Sequence, residues 1–241
     1  MKYIGSKAKI AKEIVPIIQK YINDNNISTY KELFVGGANV IDKIKCKLKI
    51  ASDIDDGLIE LYKTTINNPE ALEMLPERLE REDYYKIRDS IIYAKWYRYA
   101  VLLFGSYNSR IYGGCYGAYA KTKDGKIRDY YRESINNYKK QIPSLKDIVF
   151  TDGDYRNFNN NQSLIYCDIP YKNSIGFKSE FNHEEFWAWA EEQSKNNIII
   201  VSEYEAPENW KCIWQKQVKT HQNNRNKLVK TEKLFILRES L

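Results

Sequence analysis

Histidine is nearly absent from this chain, with two in 241 residues, and its four cysteines lie far apart at Cys46, Cys115, Cys167 and Cys212. Zinc sites and disulfide frameworks need clusters of these residues at short, regular spacings. No such spacing occurs, so no metal is expected and reduced thiols are the default. No N-terminal stretch reads as a signal peptide and no apolar run approaches a bilayer span. A cytoplasmic protein without a membrane partner is the expectation. Internal repeats and low-complexity linkers are also missing, which at this length leaves one large α/β domain or a domain carrying an insertion. Charge of neither sign dominates: 38 Lys and Arg face 32 Asp and Glu, a net +6. That balance permits a polyanionic partner without requiring one. Tyrosine, by contrast, is plentiful at 20 residues, so no single tyrosine can be read as a ligand-stacking ring on its own.

Hydrophobic periodicity supplies the outline. Residues 6–22 place Ile10, Ile14, Ile17, Ile18 and Tyr21 on one helical face, with Pro16 inside. A strand at 30–34 leads into Val35-Gly36-Gly37-Ala38 and a predicted helix through Ile44, followed by a strand at 48–52 that ends on Asp53. Strand, glycine turn, helix, strand, acid is the layout of a nucleotide-binding βαβ unit. Asp53 suits two ribose hydroxyls or, equally, the N-cap of the helix that follows. Residues 69–103 read as helical with Trp96, Tyr97, Leu102 and Leu103 as core, whereas 104–147 is rich in Gly, Tyr and Ser, loses its period, and closes on a basic helical stretch. Further strands are predicted at 148–150, 164–167 and 197–202 with a helix at 183–194. Two more, at 212–218 and 233–237, are separated by a polar, basic segment.

The apolar run Leu-Ile-Tyr-Cys at 164–167 stops at Asp168-Ile169-Pro170-Tyr171. Just past the carboxyl end of a buried strand is where open α/β sheets bind ligands. A carboxylate and a backbone carbonyl can both accept hydrogen bonds from an exocyclic amine, and a tyrosine can stack on the ring that carries it. Pro170 fixes its own φ and restricts Ile169 to extended geometry, which aims the carbonyl between them.

This tetrapeptide resembles the Asp-Pro-Pro-Tyr signature of amino-methyltransferases that use S-adenosylmethionine, and the chain as a whole resembles the Dam-like family of adenine-specific DNA methyltransferases. Tyr3-Ile4-Gly5-Ser6-Lys7 matches the family's opening motif. Glu32-Leu33-Phe34-Val35-Gly36-Gly37 matches its first cofactor loop, Asp53-Ile54 its ribose-binding acid, and Gly153-Asp154-Tyr155 the segment that holds the cofactor adenine. The resemblance implies a Rossmann-like α/β methyltransferase fold with a mixed, mostly parallel sheet. Residues 1–56 and 148–241 would form the catalytic domain, and 57–147 an inserted, mainly helical and loop-rich target-recognition region. It implies S-adenosyl-L-methionine as cofactor, with Tyr3, Lys7, Glu32, Phe34, Gly36, Gly37, Asp53, Ile54, Asp154 and Tyr155 binding it. Asp168, Ile169, Pro170 and Tyr171 would be catalytic. Two departures stand out. Ala38 replaces a glycine common in the family, which is acceptable if its φ is helical, and Ile169 replaces the first proline of the motif, at a position used through its carbonyl.

The implied reaction is methylation of the 6-amino group of an adenine flipped out of double-stranded DNA, by a monomer. Asn108 and Arg110 fall where the family reads bases. Lys121, Lys123, Lys126 and Arg128, with Lys219, Arg225 and Lys227 in the tail, are candidate phosphate contacts; for the first four a solvated charged face is the alternative. Methylation of RNA adenine or of a protein glutamine amide, and a silent DNA-binding regulator with the same fold, are the alternatives.

Overall fold

The computed structural model describes residues 1–158, 161–172, 181–223 and 226–237, without the side chains of 219–228. The core is a seven-stranded sheet. In chain order its strands are β1 (Thr29–Glu32), β2 (Leu48–Asp53), β5 (Ile148–Asp152), β6 (Leu164–Asp168), β7 (Ile198–Glu203), β8 (Trp210–Asn223) and β9 (Asn226–Leu237), and their spatial order is β5-β2-β1-β6-β7-β9-β8. The first five run parallel, while β9 is antiparallel to β7 and β8 antiparallel to β9. This is the mixed, mostly parallel sheet expected from the sequence. The winding direction reverses between β1 and β6, and that reversal opens a crevice above their carboxyl ends.

Parallel strands covered on both faces are apolar at successive positions. In β6, Leu164, Ile165, Tyr166 and Cys167 are all buried. Side chains alternate across a strand, and the two faces feed two cores. Leu164, Tyr166 and Ile200 join one with α1 (Ala11–Asp24), α2 (Asp56–Asn67), α4 (Lys95–Gly105) and α5 (Tyr130–Gln141). Ile165, Cys167, Ile199 and Val201 join the other with Phe186 and Ala190 of α6 (His183–Ser194). Ile10, Ile14, Ile18 and Ile22 form the buried stripe of the first helical segment, while Ile17 and Tyr21 sit half-buried beside it. Helix α6 begins where expected: the Asn182 side chain accepts from the Glu185 N–H at 3.1 Å, with Glu184 and Glu185 in the first turn.

The crossover from β2 to β5 carries α2, α3 (Arg81–Asp89), α4, a hairpin of β3 (Tyr119–Lys121) and β4 (Ile127–Asp129), and α5. Leu58, Leu61 and Tyr62 of α2, Leu103 of α4 and Tyr138 of α5 lie in the first core, so much of this segment shares its packing with the sheet. Among the described residues no helix is long and apolar enough to cross a membrane.

Two expectations are corrected. The helix predicted after the glycine turn is absent; only a 3-10 turn at Ile41–Lys43 forms there. Ala38 has a φ of +52°, a left-handed conformation that an α-helix does not propagate, so it does not have the helical φ that would make it an easy substitute for glycine. The tail strands do not stop at the polar segment either. Pairing continues through Lys219↔Val229 and His221↔Lys227, because ladder hydrogen bonds come from the backbone and need no apolar side chain.

Candidate active site

The carboxyl ends of β1, β2, β5 and β6, with the N-terminal segment, wall a single cavity of about 1440 Å³. Tyr3, Lys7, Glu32, Phe34, Gly36, Gly37, Asp53, Ile54, Asp154, Tyr155 and Asp168 to Tyr171 all line it, as do Asn108 and Arg110 from the crossover. Residues far apart in sequence are thus gathered by the topology into one place.

The glycine loop is built for close packing with this chain's own N-terminus. A Cβ on Gly37 would fall 2.5 Å from Asn39 Nδ2 and 2.8 Å from the Met1 carbonyl oxygen, and one on Gly36 would lie 3.0 Å from the Tyr3 ring. The Gly36 φ of +45° also favours glycine. Asp53 fastens this loop from β2: its Oδ2 accepts the Gly36 N–H at 3.0 Å and its Oδ1 the Asp55 N–H at 3.1 Å. Asp53 is not the cap of α2, because that N-cap is Asp55. The buried Asp55 carboxylate accepts from Tyr99 Oη at 2.8 Å and also from the Tyr112 hydroxyl. One acid therefore ties the end of β2 to α4 and to the loop that carries Asn108 and Arg110.

Across the cavity, Phe34, Tyr155 and Phe181 pack with ring centroids 5.4 to 5.9 Å apart. Asp154 stands at their edge, its carboxylate held by the Arg156 N–H at 2.9 Å and Nε at 2.8 Å. The Arg156 guanidinium, first through its hydrogen bonds, holds that carboxyl below its ordinary range.

The Asp168 end is the most electrostatically loaded. Lys7, only 7% exposed, places Nζ 2.8 Å from Asp168 Oδ1, 3.5 Å from Glu232 Oε2 and 4.3 Å above the Tyr171 ring. The Tyr171 hydroxyl donates to Glu232 Oε2 at 2.5 Å and lies 2.7 Å from Ser202 Oγ, while its ring meets Tyr204 edge-on at 4.4 Å. Burial pushes the Asp168 carboxyl up to about 6, against the opposing pull of Lys7. It pushes Glu32 up to about 8, even though Tyr30 Oη donates to Glu32 Oε1 at 2.7 Å. Ile169 is 2% exposed and packs in the second core, so the substitution for proline adds apolar packing behind the motif. His183 Nε2 lies 2.9 Å from the Pro170 carbonyl oxygen and 3.6 Å from Glu203 Oε2. Buried Glu203 also accepts the Tyr204 and Lys172 N–H groups.

The predicted phosphate contacts between β2 and β5 are not among the residues lining the cavity. Lys121, Lys123, Lys126 and Arg128 sit on the exposed β3–β4 hairpin, where Arg128 is held by Glu133 at 2.8 and 2.9 Å. Arg225 lies outside the described residues, as do the side chains of Lys219 and Lys227. Sequence reasoning missed Asp55, Tyr99, Tyr112, His183, Glu203 and Glu232. Of these only Asp55, beside Asp53 in the acidic run, carried a local signal. Among the described residues no group of three or more His, Cys, Asp or Glu is arranged to hold a metal ion.

A family model for the D12 class N6 adenine-specific DNA methyltransferases matches residues 3–234. The type II methyltransferase M.MjaIII of Methanocaldococcus jannaschii is 29% identical over 204 residues, 71% of this chain and 68% of that protein. The modification methylase StsI of Streptococcus sanguinis is 26% identical over 195 residues, 73% of this chain but only 29% of its own length. Among solved structures, PH1948 of Pyrococcus horikoshii, provisionally described as an RNA methyltransferase, aligns over 95% of this chain and 83% of its own at a TM-score of 0.40 and 10% identity. A likeness that distant does not bear on the assignment.

Proposed function

The chain belongs to the D12 class N6 adenine-specific DNA methyltransferases, and from that premise we propose how its residues divide the work. The observation that carries the proposal is the position of Asp168. Its carboxylate, at the carboxyl end of β6 and next to Ile169, lines the same cavity as Asp53, Asp154 and the aromatic wall.

The donor set fits S-adenosyl-L-methionine. Asp53 offers a carboxylate at the end of β2 for the ribose diol, Asp154 one for an exocyclic amine, and Phe34 and Tyr155 an apolar wall for the adenine. Lys7, Tyr3, Glu32, Gly36, Gly37 and Ile54 complete the enclosure. When bound, this cofactor supplies an electrophilic sulfonium methyl.

The 6-amino group of adenine is a poor nucleophile because its lone pair is delocalised into the ring. Asp168 and the Ile169 carbonyl each accept one of its N–H bonds, which favours a tetrahedral nitrogen with a localised lone pair. Positioning then supplies most of the remaining catalysis. Asp168, with its carboxyl raised to about 6, can also take the proton that the nitrogen must lose. The target atom is inaccessible inside a stacked duplex, so the base flips into the cavity and stacks on Tyr171. Asn108 and Arg110, on the crossover side of the same cavity, read neighbouring bases. Lys121, Lys123 and Lys126 position the backbone, with Arg128 weakened for that role by its pairing to Glu133.

Transfer of a labelled methyl group to duplex DNA, single-stranded DNA and RNA tests this reading. N6-methyladenine in the duplex is expected. Preferential labelling of RNA would replace the substrate, and cofactor binding without transfer to any of the three would mean a silent regulator.

A further inference from the structure

Lys7 poses a problem for the proposed chemistry. Its ammonium occupies Asp168 Oδ1 at 2.8 Å, on the carboxylate that must accept the target amine. It is also a fixed positive charge beside a nitrogen that becomes cationic as the methyl arrives. Lys7 is too deeply buried to withdraw into water; leaving its partner unreplaced would strand a buried charge. Among the described residues, one other carboxylate lies within 4 Å of the Lys7 ammonium. Glu232 Oε2 lies 3.5 Å from the same Nζ, and it is already anchored to Tyr171 Oη, itself 2.7 Å from Ser202 Oγ.

We propose that Glu232 is a positioning residue of the methyl-transfer site: it takes over the Lys7 ammonium when the target amine engages Asp168, and its hydrogen bond with Tyr171 keeps the stacking ring registered on that event. The proposal rests on the role given to Asp168 above. Glu232 stands 64 residues beyond Asp168 in sequence, and the antiparallel pairing of β7 with β9, Glu203↔Lys233 and Ser202↔Leu234, carries it back to the site. Strand β9 is thereby wired to the catalytic motif through a side chain as well as through the sheet. Lys7 has only a short distance to travel, from a carboxylate on β6 to one on β9, while remaining over the Tyr171 ring.

Among the described residues, the charged and titratable groups around Asp168 are Lys7 from the 3-10 turn Lys7–Lys9, Glu32 from β1, Tyr166, Cys167 and Tyr171 around β6, Glu203 from β7, and Glu232 from β9. Tyr204, which follows β7, also feels its charge. Burial is the main reason the Asp168 carboxyl is raised; the Glu232 charge adds to it while also competing for Lys7. Its neutralisation therefore has two separable consequences. Asp168 loses a repulsive neighbour and is gripped harder by Lys7, so it ionises at lower pH; the same grip blocks the amine, so turnover falls.

The test is Glu232→Gln, which keeps the shape and the hydrogen bond to Tyr171 but removes the charge. Single-turnover methyl transfer to duplex DNA is expected to slow on the order of tenfold or more. Cofactor affinity should be unchanged, and the acid limb of kcat/KM should move to lower pH than in the wild type. Tyr171→Phe retains the Glu232 charge and is expected to leave that limb in place, which separates charge from packing. A Glu232→Gln enzyme with wild-type turnover, or one slowed without any movement of the acid limb, overturns the proposal. Asp168→Ala distinguishes the layers: if that variant is inactive and Glu232→Gln is normal, only the role of Glu232 falls, whereas an active Asp168→Ala removes the reading beneath it.

Discussion

Asp53→Ala should injure the protein in two measurable ways, because the structure gives this carboxylate two tasks. It accepts the Gly36 and Asp55 backbone N–H groups at 3.0 and 3.1 Å, pinning the first cofactor loop to the start of α2. Hydrogen bonds to a charged group contribute about 1.5–3 kcal/mol when fully desolvated. Asp53 is half-buried, so water replaces part of each bond, and a net loss of about 1–2 kcal/mol in folding stability is expected. For a chain of this size that lowers Tm by roughly 2–8 °C. The second task is the ribose contact, worth about 2 kcal/mol as a charge-assisted pair, or roughly a thirtyfold rise in the dissociation constant of S-adenosyl-L-methionine. Asp53→Asn retains an acceptor oxygen for one of the two N–H groups and loses the charge. It should recover part of the stability while binding the cofactor distinctly more weakly than wild type. Urea denaturation and titration calorimetry on the same preparations measure both. A variant that loses stability as stated yet binds the cofactor normally would reduce Asp53 to a loop staple.

Ile169→Pro should keep methyl transfer at or above the wild-type rate while costing about 1–2 kcal/mol of stability, since a fully packed side chain is shortened; a stable but inactive variant would mean that the carbonyl is not aimed as proposed. Replacing Lys121, Lys123 and Lys126 together by alanine should flatten the salt dependence of binding to non-cognate duplex by up to about 0.9 log–log units per lost phosphate contact. Arg128→Ala should change it less, because Glu133 already neutralises that guanidinium; an unaltered slope in the triple variant places the DNA path elsewhere.

The parts of the site that could be read in the sequence are those whose chemistry is local. A buried strand ending on Asp168, an acid closing β2 and a capped helix at His183–Ser194 each announce themselves within a few residues through apolar runs, turn formers and cap types. Glu232 and His183 do not. Each reaches the catalytic motif through tertiary approach, Glu232 by strand pairing and His183 by the docking of α6, and neither interaction leaves a pattern in the surrounding sequence. The glycine turn misled for a related reason. Its glycines are required, yet by the approach of Met1 and Tyr3 rather than by a helix start, and a left-handed Ala38 is invisible to residue type. Strands β8 and β9 extend beyond their apolar stretches because polar residues between them hide a ladder that depends only on backbone groups.

The most direct test of the central claim is Asp168→Ala, assayed in parallel for labelled methyl transfer to duplex DNA and for S-adenosyl-L-methionine binding by calorimetry. Asp168 is assigned to the target amine and not to the cofactor, so transfer should vanish while the dissociation constant stays close to wild type. Near-normal turnover in that variant would contradict the assignment outright, and loss of cofactor binding in step with activity would move Asp168 out of the methyl-acceptor site.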